Sequence, residues 1–434
     1  MAVETISATQ PPADVNFASQ PAPLRNIFTN GRAAYQRTIT LSQSDGPEKI
    51  LTDAFPGVLD ASPDATLDAF LSEASSLAAQ PAHRTAKADE SALRTLLTSS
   101  GGALHFRNTP LRTADDFSAF IHTLAEGAGW VPHQDKGLMV LRRPHAKNVA
   151  SANEGPSHLA IGSHNEYGLS SHHPSFIAFF CLSAPEKRGE TPIASSFKLY
   201  QRFAEEQTDY LATIEKQGIA YTITHPRARV ANSLGGNGVF EPSAFGPQTQ
   251  QQDVTEEQLR SIVEDNVRSL AEEGGWQPNA TATENTWKQR GYSSHWLPDG
   301  SCMVVQRVPG VRQHPVFHLP SYFTNVHSRT LHADTHRTSK PWSMSLDTWL
   351  KQQLASPSEQ PHNLPPYYVG PHGDDLPFPL KWIDSIRKIT TEEQVDVPWQ
   401  QGDVLLLDNL AVQHGRRTWE GDRRLLASLW DVQK

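Results

Sequence analysis

Residues 174–182 read PSFIAFFCL, a nearly continuous apolar run. A run of this length suits a β-strand buried on both faces, so other parts of the chain must cover it from two sides. Leu405-Leu406-Leu407 is a second buried-strand candidate. Around these two the sequence predicts short strands separated by turns. They fall at Ala103–Arg107 after a Gly-Gly turn, at Leu138–Arg142, and at Thr191–Ser195 after the turn Glu186–Gly189. More lie within WLPDGSCMVV, HPVFHLPSYFTNV, VPWQQGDVLLLDN and RRLLASLW. Helices are expected over Asp64–Leu77, with Leu67, Phe70, Leu71 and Ala74 on one stripe, and after Thr113, with Phe117, Phe120, Ile121 and Leu124. A third opens at the capping box Thr255–Gln258 and stops at Gly274-Gly275. Residues 78–92 read as loop or weak helix, and 225–253 as a long polar loop. With no regular βαβ alternation and no internal repeat, the pattern points to an α+β protein around a β-barrel or jelly roll.

The 434 residues allow one large domain or two to three ordinary ones, with ample length for a core. Residues 1–25, rich in Ala, Pro, Gln and Ser, are expected to form a disordered tail. A net charge of −9 with no basic run argues against a nucleic-acid partner. The only cysteines, Cys181 and Cys302, indicate neither a disulfide scaffold nor a Cys-based zinc site. No apolar run approaches the roughly 18 residues of a membrane span, so no membrane partner is expected. The polar first residues lack the pattern of a secretion signal, and a cytoplasmic location is expected. Oligomeric state is not legible.

The chemistry centres on His164-Asn165-Glu166. On a strand, His164 and Glu166 would share a face about 7 Å apart and could fill two corners of a metal site. With 19 histidines in the chain, an isolated His-x-Glu has little specificity. The best third ligand is His414, beyond the Leu405–Leu407 strand. Two histidines and one carboxylate make the facial triad of non-haem Fe(II) oxygenases, with positions left open for O₂ and a co-substrate. Thr191 follows a strand and a turn after Glu166, so the returning chain can bring it to the same cavity. Arg423-Arg424 begin a strand that returns beside His414. A guanidinium there could anchor the far carboxylate of a five-carbon keto-diacid, with the Thr191 hydroxyl adding a bond.

These blocks carry a resemblance. In order, GGALHFRNTPLRTADDFSAF, IGSHNEY, HPSFIAFFCLSAPEKRGETPIASS, HWLPDG, QHPVFHLPSYFTNV, GDDLPFP and WQQGDVLLLDNLAVQHGRRTWEGDRRLLASL resemble the TauD/TfdA-like Fe(II)/2-oxoglutarate dioxygenases. The nearest branch is the clavaminate-synthase-like and SyrP-like one, which also has Glu in place of Asp. The resemblance covers roughly residues 100–434. It implies a double-stranded β-helix (jelly-roll) core with flanking helices, and a single domain over 26–434 with an inserted loop and helix near 225–295. It implies His164, Glu166 and His414 on iron. It implies Thr191 with Arg424, or alternatively Arg423, on 2-oxoglutarate. Asn325 matches a pocket-facing Asn of many relatives. Two departures stand out: Arg188 replaces a turn Gly, and Ser428 stands where some relatives carry a second Arg.

The activity implied is oxidation of an unactivated C–H in a small organic substrate, with release of succinate and CO₂. Hydroxylation is the default, and desaturation, epoxidation or cyclisation are the variants. Relatives act on small acids, amines and amino acids. Glu166 argues against a halogenase, which typically has a small residue there. Two rival readings are an iron oxidase that does not use 2-oxoglutarate and an inactive ligand-binding relative. His172 and His173 are read as non-ligands. His314, His318 and His327 are candidates for the pocket wall, and Arg416 has no assigned role.

Overall fold

The computed structural model describes residues 27–43, 46–80, 91–137, 142–152, 155–228, 238–246, 249, 254–272, 291–335, 344–355, 365–372 and 374–433. The tail expected over 1–25 lies outside them.

The apolar run forms the strand Phe176–Ser183. It sits in a nine-stranded sheet between Val404–Asp408 and Arg424–Val432, antiparallel to both, with Phe179 opposite Leu405 and Ala427. Side chains alternate across the pleat, so its residues divide between two cores. Phe176, Ala178 and Phe180 join Leu104, Phe106, Leu406, Leu426 and Trp430 on one face. Ile177, Phe179 and Cys181 join Leu405, Leu407, Leu425, Ala427 and Leu429 on the other. Each large apolar side chain buried in this way contributes roughly 1.5–3 kcal/mol, which is why the run holds the centre of the sheet.

The first face is covered by helices. Ala114–Ala128 starts at a capping box of Thr113 and Asp116, as the sequence predicts, and buries Phe117, Phe120, Ile121 and Leu124. Phe117 stacks on Phe180 and Trp130 on Phe176, with ring centroids 5.0 and 3.9 Å apart. The second face looks across the interior to a four-stranded sheet in the order Val395–Val397, Thr191–Ser195, Val412–Arg416, Ile161–His164. Ile193, Val397 and Val412 close the core from that side. Two facing sheets around one apolar interior are the double-stranded β-helix expected, with helices added in an α+β arrangement.

A five-stranded sheet, Tyr292–Trp296, Cys302–Val308, Ile219–His225, Tyr367–Val369 and Asp375–Pro377, stands beside this barrel. The helix Glu256–Glu272 packs on it through Val263 and Val267, against Cys302 and Val304.

Several expectations shift. The segment 28–61, unassigned from sequence, holds four strands, including the long hairpin of Arg37–Gln43 with Gly46–Phe55. A second helix, Ala92–Ser99, follows residues 81–90, which lie outside the described set. The strand expected at Leu138–Arg142 lies mostly outside it too, and Arg142 is not in a strand. The described part of 225–253 contains a one-turn helix, Pro242–Phe245. HPVFHLPSYFTNV yields only the short strand Pro320–Tyr322, followed by the helix Val326–Thr335.

Candidate metal centre

His164 ends its strand, and His414 lies directly opposite it on the neighbouring one. Paired residues in an antiparallel ladder point to the same face, so backbone pairing alone brings the two imidazoles together, with ring centroids 4.4 Å apart. Ile193 is the partner of His414 on the other side, which makes this face the barrel interior.

Glu166 arrives differently from the sequence expectation. The strand stops at His164, so simple alternation does not carry Glu166 to the metal face. A turn does, with Tyr167 at φ +55°. Asn409 clasps that turn: its Oδ1 accepts from Glu166 N at 2.7 Å, and its Nδ2 donates to the carbonyls of Glu166 and Pro174 at 2.9 and 2.8 Å. Asn165 points the other way, donating to the Asn409 carbonyl and accepting from Thr324 N and Gln413 Nε2.

One donor atom from each of His164, Glu166 and His414 lies within 4.8 Å of the others, the one such His/Cys/Asp/Glu cluster among the described residues. Glu166 Oε2 is 3.3 Å from His414 Nε2. His164 Nδ1 donates to the Gly162 carbonyl at 2.9 Å, which leaves Nε2 free as a ligand. Burial, then the neighbouring His414, pushes His164 down to about 4, so its imidazole is neutral and able to bind a cation. Burial alone would raise the Glu166 carboxyl. Arg142 and the two imidazoles outweigh it and hold the group ionised, well below the usual carboxylate range. Two imidazoles and one carboxylate on a single side of a buried space fit Fe(II) with open positions.

Thr191 is buried on the interior face, two residues before Ile193. Its Oγ1 accepts from Trp399 Nε1 at 3.0 Å. Arg424 is a correction: its side chain is 64% exposed and pairs with Asp422 in the same turn. Leu425, Ala427 and Leu429 face the interior, so alternation sends Arg424 outward and Arg423 inward. Arg423 is half-buried, with Nε donating to the Gly189 carbonyl at 2.8 Å and the guanidinium 5.4 Å from the Trp419 ring centre. Burial pushes it down to about 10, still far above neutrality, so it stays a cation. Ser428 turns to the helix side, where it bonds the Asn148 carbonyl.

Asn325 is buried against the turn after Glu166, where a Cβ on Gly168 would lie 2.4 Å from Asn325 Oδ1. That oxygen has no hydrogen-bond partner among the described residues. His173 receives a bond from Arg312, and His172 bonds the Gln134 carbonyl, so neither reaches the cluster. His314 is held by Asp408 at 3.1 Å, and His327 Nδ1 accepts from Ser163 N. Arg416 donates to the carbonyls of Pro156 and Leu159 and stacks on Trp419, tying down the loop ahead of the His164 strand. Sequence reasoning missed Asn409, Trp399 and Arg142. The first two stand in the conspicuous VPWQQGDVLLLDN block, but nothing there marks their partners.

The family model for the taurine catabolism dioxygenase TauD, TfdA family matches residues 77–430. A clavaminate synthase-like protein of Arabidopsis thaliana is 28% identical over 352 residues, covering 80% of this chain and 86% of that protein. The dapdiamide synthesis protein DdaC of Enterobacter agglomerans is 26% identical over 335 residues, covering 77% and 84%. Among solved structures, PvcB, described as an Fe, alpha-ketoglutarate dependent oxygenase from an isonitrile synthetic pathway, aligns with a TM-score of 0.39 at 12% identity over 93% of this chain and 94% of that one.

Proposed function

The chain belongs to the TauD/TfdA family and is an Fe(II)/2-oxoglutarate-dependent dioxygenase, and we propose that it hydroxylates an unactivated C–H bond of a small organic substrate. The substrate class proposed is an amino acid or a small acid or amine, of the kind met in secondary metabolism. A relative named for dapdiamide synthesis supports that class. The observation that carries the reading is the His164–Glu166–His414 cluster, brought together by two paired strands and the turn that follows the first of them.

In this reading His164 Nε2, Glu166 Oε2 and His414 Nε2 hold the iron. Bound iron with 2-oxoglutarate supplies the oxidising chemistry: one O₂ is consumed, 2-oxoglutarate leaves as succinate and CO₂, and C–H becomes C–OH. The remaining work falls to the chain's own residues. Arg423, a half-buried cation whose Nε is tied to Gly189, is the proposed anchor for the far carboxylate of 2-oxoglutarate, in place of Arg424. Thr191 adds a hydroxyl whose orientation Trp399 sets. Asn325, with its free Oδ1 beside the Glu166 turn, is proposed to meet the substrate. Ile193, Phe179 and Val412 line the interior and exclude water from it.

The test is an anaerobic titration of Fe(II)-loaded protein with 2-oxoglutarate, following the weak visible charge-transfer band of the bound keto acid. The band should appear in wild type and vanish in His164→Ala. Iron binding without any band would overturn the co-substrate assignment.

A further inference from the structure

Glu166 is the one ligand not fixed by a strand, and a glutamate carboxylate has the reach to bind a metal through one oxygen or both. Its two oxygens are already divided. Oε2 faces His414 Nε2 at 3.3 Å. Oε1 receives Nη2 of Arg142. Both side chains are nearly sealed, at 14% exposure for Arg142 and 7% for Glu166, so solvent does not screen the pair. Arg142 has support behind it. Its guanidinium lies 5.9 Å from the centre of the Tyr167 ring, and the Tyr167 hydroxyl donates to Asp135 Oδ1 at 2.9 Å. Tyr167 follows Glu166 directly, so one turn presents the ligand and the surface that seats its cation.

We propose that Arg142 is a positioning residue of the metal centre: by holding Glu166 Oε1 it makes Glu166 a one-oxygen ligand and keeps a coordination position open for the co-substrate. This deepens the reading above and rests on His164, Glu166 and His414 binding metal. Turning the carboxylate to give both oxygens would break a buried ion pair, so the pair acts as a stop on that rotation. Partners of this sort beyond the direct ligands tune metal sites by about ten- to a hundredfold.

The experiment uses full-length protein loaded with Co(II), whose visible spectrum reports coordination number independently of turnover. Wild type should bind one Co(II) with high affinity. Arg142→Gln should weaken Co(II) binding about tenfold and change the visible band, and Arg142→Lys should restore part of both. In Fe(II) turnover, KM for 2-oxoglutarate should rise, because a carboxylate free to give both oxygens competes with the co-substrate for the open position. Tyr167→Phe keeps the ring but loses the bond to Asp135, and should shift the spectrum in the same direction by less. Should Arg142→Gln fail to fold by circular dichroism, Tyr167→Phe carries the test. Wild type that binds no Co(II) sinks the metal reading itself. Wild type that binds it, with folded variants of unchanged affinity and spectrum, overturns the positioning role and leaves that reading intact.

Discussion

Trp399 donates its indole N–H to Thr191 Oγ1 at 3.0 Å, in a buried pair joined across neighbouring segments. A hydroxyl has one proton, and accepting from Trp399 turns that proton of Thr191 away from the indole. Trp399→Phe keeps the aromatic bulk and removes this constraint. A neutral hydrogen bond is worth about 1 kcal/mol net, so 2-oxoglutarate should bind about fivefold more weakly while iron content stays unchanged. Titration of the visible band in wild type and variant measures it.

Arg423 and Arg424 should respond oppositely to truncation. Arg424 is exposed and, among the described residues, its side chain pairs with the neighbouring Asp422, so Arg424→Ala should leave 2-oxoglutarate binding within about twofold of wild type. Arg423→Ala removes a half-buried cation; a hydrogen bond to a charged group is worth about 1.5–3 kcal/mol, or roughly a ten- to hundredfold loss of affinity. The reverse outcome would return the anchor to Arg424.

Metal should stabilise the fold. At a free concentration of about 100 times Kd, a ligand that binds only the native state adds about 2.7 kcal/mol. Mn(II), which does not oxidise in air as Fe(II) does, should therefore raise Tm by several degrees. His414→Ala should abolish the rise. A rise of equal size in that variant would move the metal elsewhere.

His225 gives a pH effect of defined sign. It is fully buried beside Phe245, neither ring nitrogen has a partner among the described residues, and burial pushes it down to about 3. Above the ordinary histidine value both folded and unfolded chains carry it neutral. Below that value the unfolded chain takes up a proton and the folded one does not, so stability falls as pH falls from about 6.5 towards 3. Between about pH 7.5 and about pH 5 this one residue should cost about 2 kcal/mol. Urea melts at the two pH values should show that loss reduced by about that amount in His225→Leu, which should be no less stable at the higher pH.

The candidate metal cluster was legible because residue type, spacing and order agree: His164 and Glu166 lie next to an apolar run that suits a central strand, and His414 follows the strand beside it. The choice between Arg423 and Arg424 was not. Alternation says that adjacent residues face opposite ways, but Leu425 and Leu426 are both apolar because their strand is buried on both sides, which erases the period that would name the inner face. The turn that delivers Glu166 was equally hidden, since it depends on Asn409, distant in sequence. In 28–61 the strand Arg37–Gln43 carries a signal of its own, Thr38-Ile39-Thr40-Leu41-Ser42 alternating polar and apolar as a half-buried strand does, whereas in its partner Gly46–Phe55 the adjacent Ile50 and Leu51 blur that period.

His414 is locked on two sides at once, opposite Ile193 on one neighbour and His164 on the other. A single inserted or deleted residue upstream in that strand would turn Gln413 or Gly415 inward and the histidine out. For a lineage diversifying its substrates, these strands are therefore closed to changes of length. Novelty must enter through substitutions on their inner faces, or through growth of the connections outside them.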